Sequence, residues 1–390
     1  MLLRHGLSGL LSSTAISDAY IVNGFSPDLV ADFANATPYY RSGGTDTTFA
    51  SLFTFARASA ATKVNSSGNV VTVTSGTERT DAYYHNGTSY VKGGILFETE
   101  ARTNLFTYSN TFSDASWTKV SSTVTANSGI SPDGTDNAWR LNDTGASNHT
   151  LHMLLVLSAA EYTVSVWVKS NGAGEDTFRL YGDSNTLSAD LTATTEWVRH
   201  SFTFTGVASS KAHGIARDSA NNPYDILIYG AQLELGETAT SYIPTSGSTV
   251  TRAAETLEIA GADTPANTTA MSFAFWGKSI WELADNLALF QWEDSGTNNV
   301  YARLDSVSST LTNFDVFVEG GNTGINALGL NGSGAPTYDA NTPFRVAARM
   351  TQTDTEGAVE GAADKLTTAS SRTLPDLSTT PIQFGEQNVT

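Results

Sequence analysis

Cysteine is absent from the 390-residue chain, which excludes disulfides, thiolate catalysis and zinc sites built on cysteine. Basic residues are scarce, since 21 Lys and Arg stand against 39 Asp and Glu and leave a formal net charge of -18. A surface of this sign repels phosphate backbones and anionic lipids, so we expect no nucleic-acid partner. Long apolar runs are also missing. The best one, "LHMLLVL" at 151–157, has the length of a strand, so we expect no membrane insertion.

Helix-forming tracts are rare, whereas Ser, Thr, Asn and Gly are abundant, and this balance favours strands and turns. The segment "YTVSVWVKS" alternates strictly and places Tyr162, Val164, Val166 and Val168 on one face of a strand. The segment "DILIYGAQLEL" at 225–235 is almost continuously apolar, which is typical of a central strand. Short strands separated by Gly and Asn turns predict an all-β fold of tandem antiparallel sandwiches.

Strand spacing divides the chain into three consecutive segments. Residues 1–94 are irregular, contain one hairpin signal at "NVVTVTSG", and are too short for a core that is stable alone. Residues 95–260 and 265–390 each carry a regular series of strand signals and predict two sandwiches. The chain stops at "FGEQNVT" without a closing strand, so we expect the second sandwich to be incomplete at its C-terminus.

Three stretches, in order along the chain, resemble motifs of one family. They are "FTFARASAATKVNSSGNVVTV", "GILFETEARTNLFTYSNTFSDASWTKV" and "GAQLELGETATSYIPTSGSTVTRAAE". Together they resemble structural proteins of tailed-bacteriophage virions and gene transfer agents, over about residues 49–260. Glu255 stands where the family more often has Asp. The middle segment resembles a carbohydrate-binding-module jelly roll, and the last one resembles a concanavalin-like or laminin-G-like sandwich.

The resemblance implies a non-enzymatic virion protein, such as a tail fibre, tail spike or head spike, exposed on the particle surface or tail. Its N-terminal region would attach to other virion proteins, and its sandwiches would bind a host-surface glycan or receptor. A homo-oligomer, with a trimer favoured, fits this group. Two alternatives remain open: a spike that depolymerises polysaccharide, and a head or neck decoration without a ligand.

Tryptophans are the first candidates for sugar contacts, because their rings stack on the apolar faces of sugars. Trp117, Trp167 and Trp197 fall within strand motifs, and we expect them to fill the core. Trp139 follows the turn "SPDGTDN", and Trp281 lies in the polar "KSIWELADN". We therefore predict Trp139 and Trp281 as the ligand-binding aromatics.

A structural calcium ion is implied by the resemblance to carbohydrate-module jelly rolls, which often carry one where their first and last strands meet. Calcium prefers carboxylate and carbonyl oxygens. Asn110, Asp114 and Glu234 occupy the corresponding positions and are the predicted ligands. In the alternative interpretation, Glu234 holds a turn or forms an ion pair with a nearby arginine. No other cofactor is expected.

A catalytic pair of carboxylates needs two acids at a defined separation in a cleft. The sequence offers only weak pairs, namely Glu98 and Glu100, Glu282 and Asp285, and Glu293 and Asp294. No Ser-His-Asp order and no phosphate-binding glycine loop occurs. We therefore expect a protein that binds and does not catalyse.

Overall fold

The computed structural model describes the chain in separate stretches, namely residues 2–3, 29–33, 38–42, 45–85, 88–143, 150–172, 174–183, 186–220, 222–260, 269–278, 287–293, 298–307, 310–320, 323–326, 343–359, 366–369 and 380–384. Within them the protein is all-β and antiparallel apart from one helical turn, which confirms the predicted fold class. No helix in the described stretches is long and apolar enough to cross a membrane.

Within the described stretches the secondary structure consists of one helix and 31 strands. The first part of the chain forms β1 (Leu2–Leu3), β2 (Leu29–Asp32), β3 (Tyr39–Ser42), β4 (Thr45–Thr47), α1 (Phe49–Leu52), β5 (Phe53–Ala56), β6 (Ala61–Val64), β7 (Val70–Val73), β8 (Ala82–His85), β9 (Tyr90–Leu96), β10 (Arg102–Asn104), β11 (Thr118–Val120), β12 (Ser122–Thr125), β13 (Trp139–Asp143), β14 (Thr150–Val156) and β15 (Glu161–Ser170). The remainder forms β16 (Asp176–Tyr181), β17 (Leu191–Ala193), β18 (Val198–Thr205), β19 (Ser210–Arg217), β20 (Asp225–Leu235), β21 (Val250–Arg252), β22 (Thr256–Ile259), β23 (Ala270–Lys278), β24 (Leu287–Glu293), β25 (Asn298–Val307), β26 (Thr310–Gly320), β27 (Thr323–Asn326), β28 (Pro343–Thr351), β29 (Asp354–Val359), β30 (Leu366–Ala369) and β31 (Ile382–Phe384).

The chain forms two compact units that interleave in sequence. Unit 1 contains Met1–Arg57, Gly76–Thr99 and Glu255–Thr390, and unit 2 contains Ala58–Ser75 and Glu100–Ala254. This division differs from the three consecutive segments expected from the sequence. The physical reason is strand pairing. The chain first leaves unit 1 after Arg57 and returns to it for the last time at Glu255, and β5, just before the first of these points, pairs with β22, just after the second.

Unit 2 is a sandwich of two five-stranded antiparallel sheets. One sheet has the order β11-β14-β19-β16-β17, and the other has the order β12-β13-β20-β15-β18. The first is called the groove sheet below and the second the covered sheet. β20 lies at the centre of the covered sheet, which confirms the interpretation of "DILIYGAQLEL" as a central strand. The predicted hairpin is also present as β6 and β7, which pair from Ala61↔Val73 to Val64↔Val70.

The core of unit 2 lies between the two sheets. β15 contributes Tyr162, Val164, Val166 and Val168 to it, so the face predicted from the alternation is confirmed. Trp117 is buried in the same core, between the rings of two phenylalanines. These inward positions fix which side of each strand is left to face away from the core.

Unit 1 is built from two seven-stranded antiparallel sheets and a three-stranded one. The large sheets have the orders β30-β29-β28-β23-β1-β9-β8 and β27-β26-β25-β24-β31-β22-β5, and β2-β3-β4 forms the small one. Their shared core includes Ile95, Met350, Leu257 and Trp292. Strands from the beginning, middle and end of the chain thus complete one hydrophobic core.

Candidate functional site

The three motifs noted in the sequence, together with Arg79 from the stretch between the first two, supply a buried cluster of charges in unit 1. The Glu255 carboxylate accepts hydrogen bonds from Arg57 Nη1 at 2.8 Å and from Arg79 Nη2 at 2.7 Å. Arg79 Nη2 also donates to Glu98 Oε2 at 2.8 Å. The backbone N–H of Glu98 donates to Glu255 Oε2 at 2.7 Å. We call Arg57, Arg79, Glu98 and Glu255 the ionic clasp, and its solvent-inaccessible side chains suit a structural role.

The carboxylates of Glu98 and Glu255 compensate the buried positive charges of the clasp. Burial alone would lower the pKa of Arg79, but Glu98 and Glu255 outweigh it and raise that pKa. The clasp residues also lie beside all the places where the chain passes between the two units. The three motifs are thus accounted for without any catalytic group, because each motif contributes one residue to a buried ion cluster.

The covered sheet of unit 2 has an outward face that is occupied by its own chain. Trp167, Tyr229 and Tyr242 form an aromatic group there, with Trp167 and Tyr242 rings 5.5 Å apart. The β6–β7 hairpin contributes Val64 and Val70 to the same cluster. Trp167, on the outward face of β15, is therefore packed against its own chain and only partly exposed.

The groove sheet differs because its central strand carries only small residues outward. Ile215 of β19 packs in the core, so the alternation directs Ser210, Ala212, Gly214 and Ala216 away from it. Gly214 has a φ of +152°, and a Cβ there would lie 2.2 Å from a carbonyl oxygen of β14. Glycine is therefore required at the middle of this floor, which runs for about 20 Å at the usual rise of a strand.

One wall of this floor comes from β14. Leu151 and Met153 point into the core, which leaves His152, Leu154 and Val156 on the outward side. Leu154 pairs with Ala212 in register and is 59% exposed, and Val156 is 67% exposed. Among the described residues of unit 2, only Val156, Leu154 and Ile130 are large aliphatic side chains with this much exposure, and two of the three lie side by side on β14.

The opposite wall comes from β16. Phe178 and Leu180 point into the core, so Thr177, Arg179 and Tyr181 point outward. Tyr181 pairs with Gly214 in register, and Gly214 pairs with His152 on its other side. A phenol ring and an imidazole therefore flank a residue without a side chain. We call the floor on β19, with its walls on β14 and β16, the groove.

The polar groups of the groove are already oriented. Arg179 Nε donates to Asp190 Oδ1 at 2.6 Å, and Thr177 Oγ1 donates to Asp218 Oδ2 at 2.5 Å. His152 Nδ1 lies 2.9 Å from Thr150 Oγ1. Burial, followed by repulsion from His213, lowers the pKa of His152, so its ring is neutral at neutral pH. Such a surface can exchange hydrogen bonds with hydroxyl groups.

Trp139 lies at the edge of the unit 2 core. Its indole Nε1 donates to the backbone oxygen of Asn110 at 3.0 Å, and its ring meets Phe112 edge-on at 6.1 Å. The structure thus brings two of the predicted residues, Trp139 and Asn110, together, but on β13 of the covered sheet and outside the groove. Trp281 lies outside the described residues.

The predicted calcium ligands use their oxygens in other ways. Asp114 Oδ1 accepts from the backbone of Ser116 at 2.8 Å, and Asn110 Oδ1 accepts from Gly230 N at 3.3 Å. Glu234 accepts from Thr240 N at 2.9 Å and Thr240 Oγ1 at 2.6 Å, so it holds a turn. Across the described stretches no group of three His, Asp or Glu side chains is arranged to hold a metal ion. Calcium stays an expectation from the resemblance.

The acid pairs weighed for catalysis are separated by the fold where it is described. Glu98 belongs to the ionic clasp, whereas Glu100 forms an ion pair with Arg102 at 2.5 Å. Glu282, Asp285 and Asp294 lie outside the described residues, as does the side chain of Glu293.

Sequence reasoning missed the groove residues. The alternation in "TLHMLLV" could have assigned Leu154 and Val156 to the face opposite Leu151. The series Ser210, Ala212, Gly214, Ala216 could have shown a strand with one bare side. Neither pattern, however, indicates that β14 and β16 flank β19, which is the pairing that turns these residues into a groove.

No protein-family profile matches the chain, and neither does any curated protein. Three solved structures are similar to parts of it. The Clostridium thermocellum endo-1,4-beta-D-xylanase 10B, solved as its CBM22-1 and GH10 modules with xylohexaose, has a TM-score of 0.27 and 19% identity over 38% of this chain and 30% of that one. The chain thus spans under a third of that structure's length.

The CBM22-1–CBM22-2 tandem of Paenibacillus barcinonensis Xyn10C has a TM-score of 0.27 and 11% identity, over 73% of this chain and 95% of that one. The LG4-5 domains of the mouse laminin alpha1 chain have a TM-score of 0.24 and 11% identity, over 61% of this chain and 79% of that one. These neighbours are carbohydrate-binding modules and laminin G domains. Scores this low carry no argument about the groove.

Proposed function

We propose that this chain is a non-enzymatic binding protein that holds a glycan in the groove of unit 2 and is displayed on a phage-like virion. The observation that carries the proposal is the row of small residues on β19 beside the exposed Leu154 and Val156 of β14, with Tyr181 of β16 next to Gly214. The floor itself is shielded, since Ala212 is 8% and Ala216 4% exposed, so a ligand would contact it from above the flanking side chains. Sugar rings present apolar C–H faces that pack on aromatic and aliphatic side chains, and their hydroxyls need nearby polar partners. The groove offers both.

The state of the groove carboxylates supports binding without catalysis. Hydrogen bonds from Ser219 and then Arg179 lower the pKa of Asp190. Burial acts to raise the pKa of Asp218, but hydrogen bonds from Thr177 and Asn222 outweigh it and lower that pKa. A general acid for glycoside cleavage needs a raised pKa, so that the carboxyl group keeps its proton at neutral pH.

Display on a virion is supported by the three ordered motifs and by the fact that each contributes to a structural feature of the chain. On this proposal the N-terminal region attaches to other virion proteins, and the chain assembles as a homo-oligomer, with a trimer favoured. A particle lacking the chain should assemble but adsorb poorly to its host. Normal adsorption by such particles would argue for a decoration protein.

Binding is tested with the purified chain on an array of bacterial surface polysaccharides. Leu154→Ser and Tyr181→Ala should each weaken binding to the best polysaccharide by about tenfold, the loss of roughly 1.4 kcal/mol of apolar contact. Ile130→Ser is the matched control, because Ile130 is also 59% exposed but lies in a loop outside the groove sheet.

Equal affinities for wild type, L154S and the Ile130→Ser control would remove the groove from the binding site. Release of reducing ends from the bound polysaccharide is measured on the same samples. A steady release that single Asp or Glu substitutions abolish would replace the binding proposal with a depolymerase.

A structural calcium ion in unit 2 is proposed on the resemblance alone. A rise in Tm with added Ca²⁺ that a chelator reverses would support it, and Asp114→Asn should then abolish the rise.

A further inference from the structure

Among the described residues of the groove, Arg179 is the one permanent cation, and it is paired with a carboxylate. Arg179 lies on β16 opposite Ala216 of the floor. Its Nε donates to Asp190 Oδ1 at 2.6 Å, and the two side chains are 24% and 38% exposed. Arg179 and Asp190 are called the groove pair below.

Asp190 is fixed independently of Arg179. The backbone N–H of Ser219 donates to Asp190 Oδ1 at 2.8 Å, and the Ser219 hydroxyl donates to Asp190 Oδ2. These contacts keep the carboxylate ionised at neutral pH. Asp218 lies close enough to repel it. The negative side of the groove pair is therefore held in place while a ligand approaches.

Other cations of the groove sheet face away from the groove. Lys119 pairs in register with Leu151, and Lys211 pairs with Leu155, so both stand at inward positions. Arg217 contacts Asp143 at 2.6 Å on that side. Among the described residues of these five strands, Arg179 is the only Lys or Arg at an outward position.

An anionic sugar gains little from such a pair. Its carboxylate, sulfate or phosphate would have to displace Asp190 or come to rest beside it, within the field of a chain whose net charge is -18. A neutral sugar meets no such cost, because its hydroxyls can accept from the remaining N–H groups of Arg179 and donate to Asp190. The pair thus presents a donor and an acceptor without net charge.

The geometry points to a groove that selects uncharged glycan chains and discriminates against chains bearing uronate, sulfate or phosphate. This inference rests on the proposed glycan-binding function and adds the chemical class of the ligand.

The experiment uses the whole chain and bacterial polysaccharides that contain uronic acids, each presented in its native form and after chemical reduction of the carboxyl groups to alcohols. Neutral polysaccharides are included. We expect the reduced form to bind at least about tenfold more tightly than the native form, as like-charge contacts oppose association. Raising the salt concentration should narrow this difference by screening the repulsion.

Asp190→Asn tests the groove pair directly, because it leaves Arg179 uncompensated. This variant should bind the native acidic form about two- to fivefold more tightly than wild type does, the usual size of one exposed charge interaction. Asp136→Asn is the control, since it changes the net charge equally at an exposed loop position. Equal gains in the two variants would overturn the role of the pair.

The two proposals fail in different ways. Absence of binding to every polysaccharide, neutral, reduced or acidic, contradicts the glycan-binding function itself. Tighter binding of native acidic chains than of their reduced forms overturns the selectivity and leaves glycan binding in place. If Asp190→Asn does not fold, the comparison of native and reduced polysaccharides on the wild-type chain at low and high salt still tests the selectivity.

Discussion

Removing the charge of Glu255 should destabilise unit 1 strongly. Glu255 accepts four hydrogen bonds: from Arg57 Nη1, Arg79 Nε, Arg79 Nη2 and the Glu98 backbone. In Glu255→Gln the shape is kept, but two buried guanidinium groups lose their shared carboxylate, and an amide N–H₂ faces donors. Breaking a buried ion pair from one side costs about 3–5 kcal/mol.

The assay is thermal and urea unfolding of the purified chain. For a unit of this size each kcal/mol lowers Tm by about 2–4 °C, so the unit 1 transition should fall by roughly 6–20 °C. Trp292, buried in unit 1, and Trp117, buried in unit 2, are the reporters whose single substitution by Phe assigns each transition. Glu255→Asp should recover part of the loss, because it restores the charge at a shorter reach.

Asp81→Asn is the control in the same unit. Asp81 forms an ion pair with Lys92 at 3.0 Å but is 62% exposed, so its loss should cost less than about 1 kcal/mol. A loss in E255Q no larger than the loss in D81N would refute the reasoning, since the clasp would then contribute no more than a surface ion pair.

Two further predictions concern unit 2. Gly214→Ala should lower the free energy of unfolding, measured with urea, by about 2 kcal/mol or more, because the new Cβ would collide with the backbone of the adjacent strand. Gly174→Ala is the control: a Cβ there meets nothing within 4 Å, so its free energy of unfolding should stay within about 1 kcal/mol of wild type. A G214A variant as stable as G174A would contradict the assigned register. Burial lowers the pKa values of His152, His200 and His213, so the unfolded chain binds protons more readily than the folded one. The free energy of unfolding should therefore be greatest above the histidine pKa of the unfolded chain, about 6.5, and should fall as the pH drops below it. Urea midpoints that do not change between pH 7 and pH 5 would contradict this.

Local patterns in the sequence predicted much of the fold. The alternation of β15 placed Tyr162 and Val164 correctly in the core, and the apolar run of β20 identified a central strand. Tyr242 and Ile243, which belong to the third motif, are each 3% exposed. The units were harder to predict, because the pairing of Phe55 with Leu257 joins residues about two hundred positions apart, and no local signal marks it.

The candidate site was even harder to predict from local sequence patterns than the division into units. Trp167 and Leu154 both occupy faces of their strands that point away from the core between the sheets. The β6–β7 hairpin packs over one of these faces, whereas Leu154 stays exposed. The sequence predicted Trp139 as a ligand-binding aromatic. The structure favours Leu154, which is exposed, and Tyr181, because both lie beside the small residues of β19.

Composition and the two-residue period of a pleated strand were enough to predict the strand character, the inward face of β15, the acidic charge and the absence of thiol chemistry. Which strands are neighbours, which outward face is covered, and the meeting of Arg57, Arg79, Glu98 and Glu255 follow only from the folded unit. Those outcomes depend on burying one continuous core from segments far apart in the chain, and the free energy of that burial is a property of the whole unit rather than of any one segment.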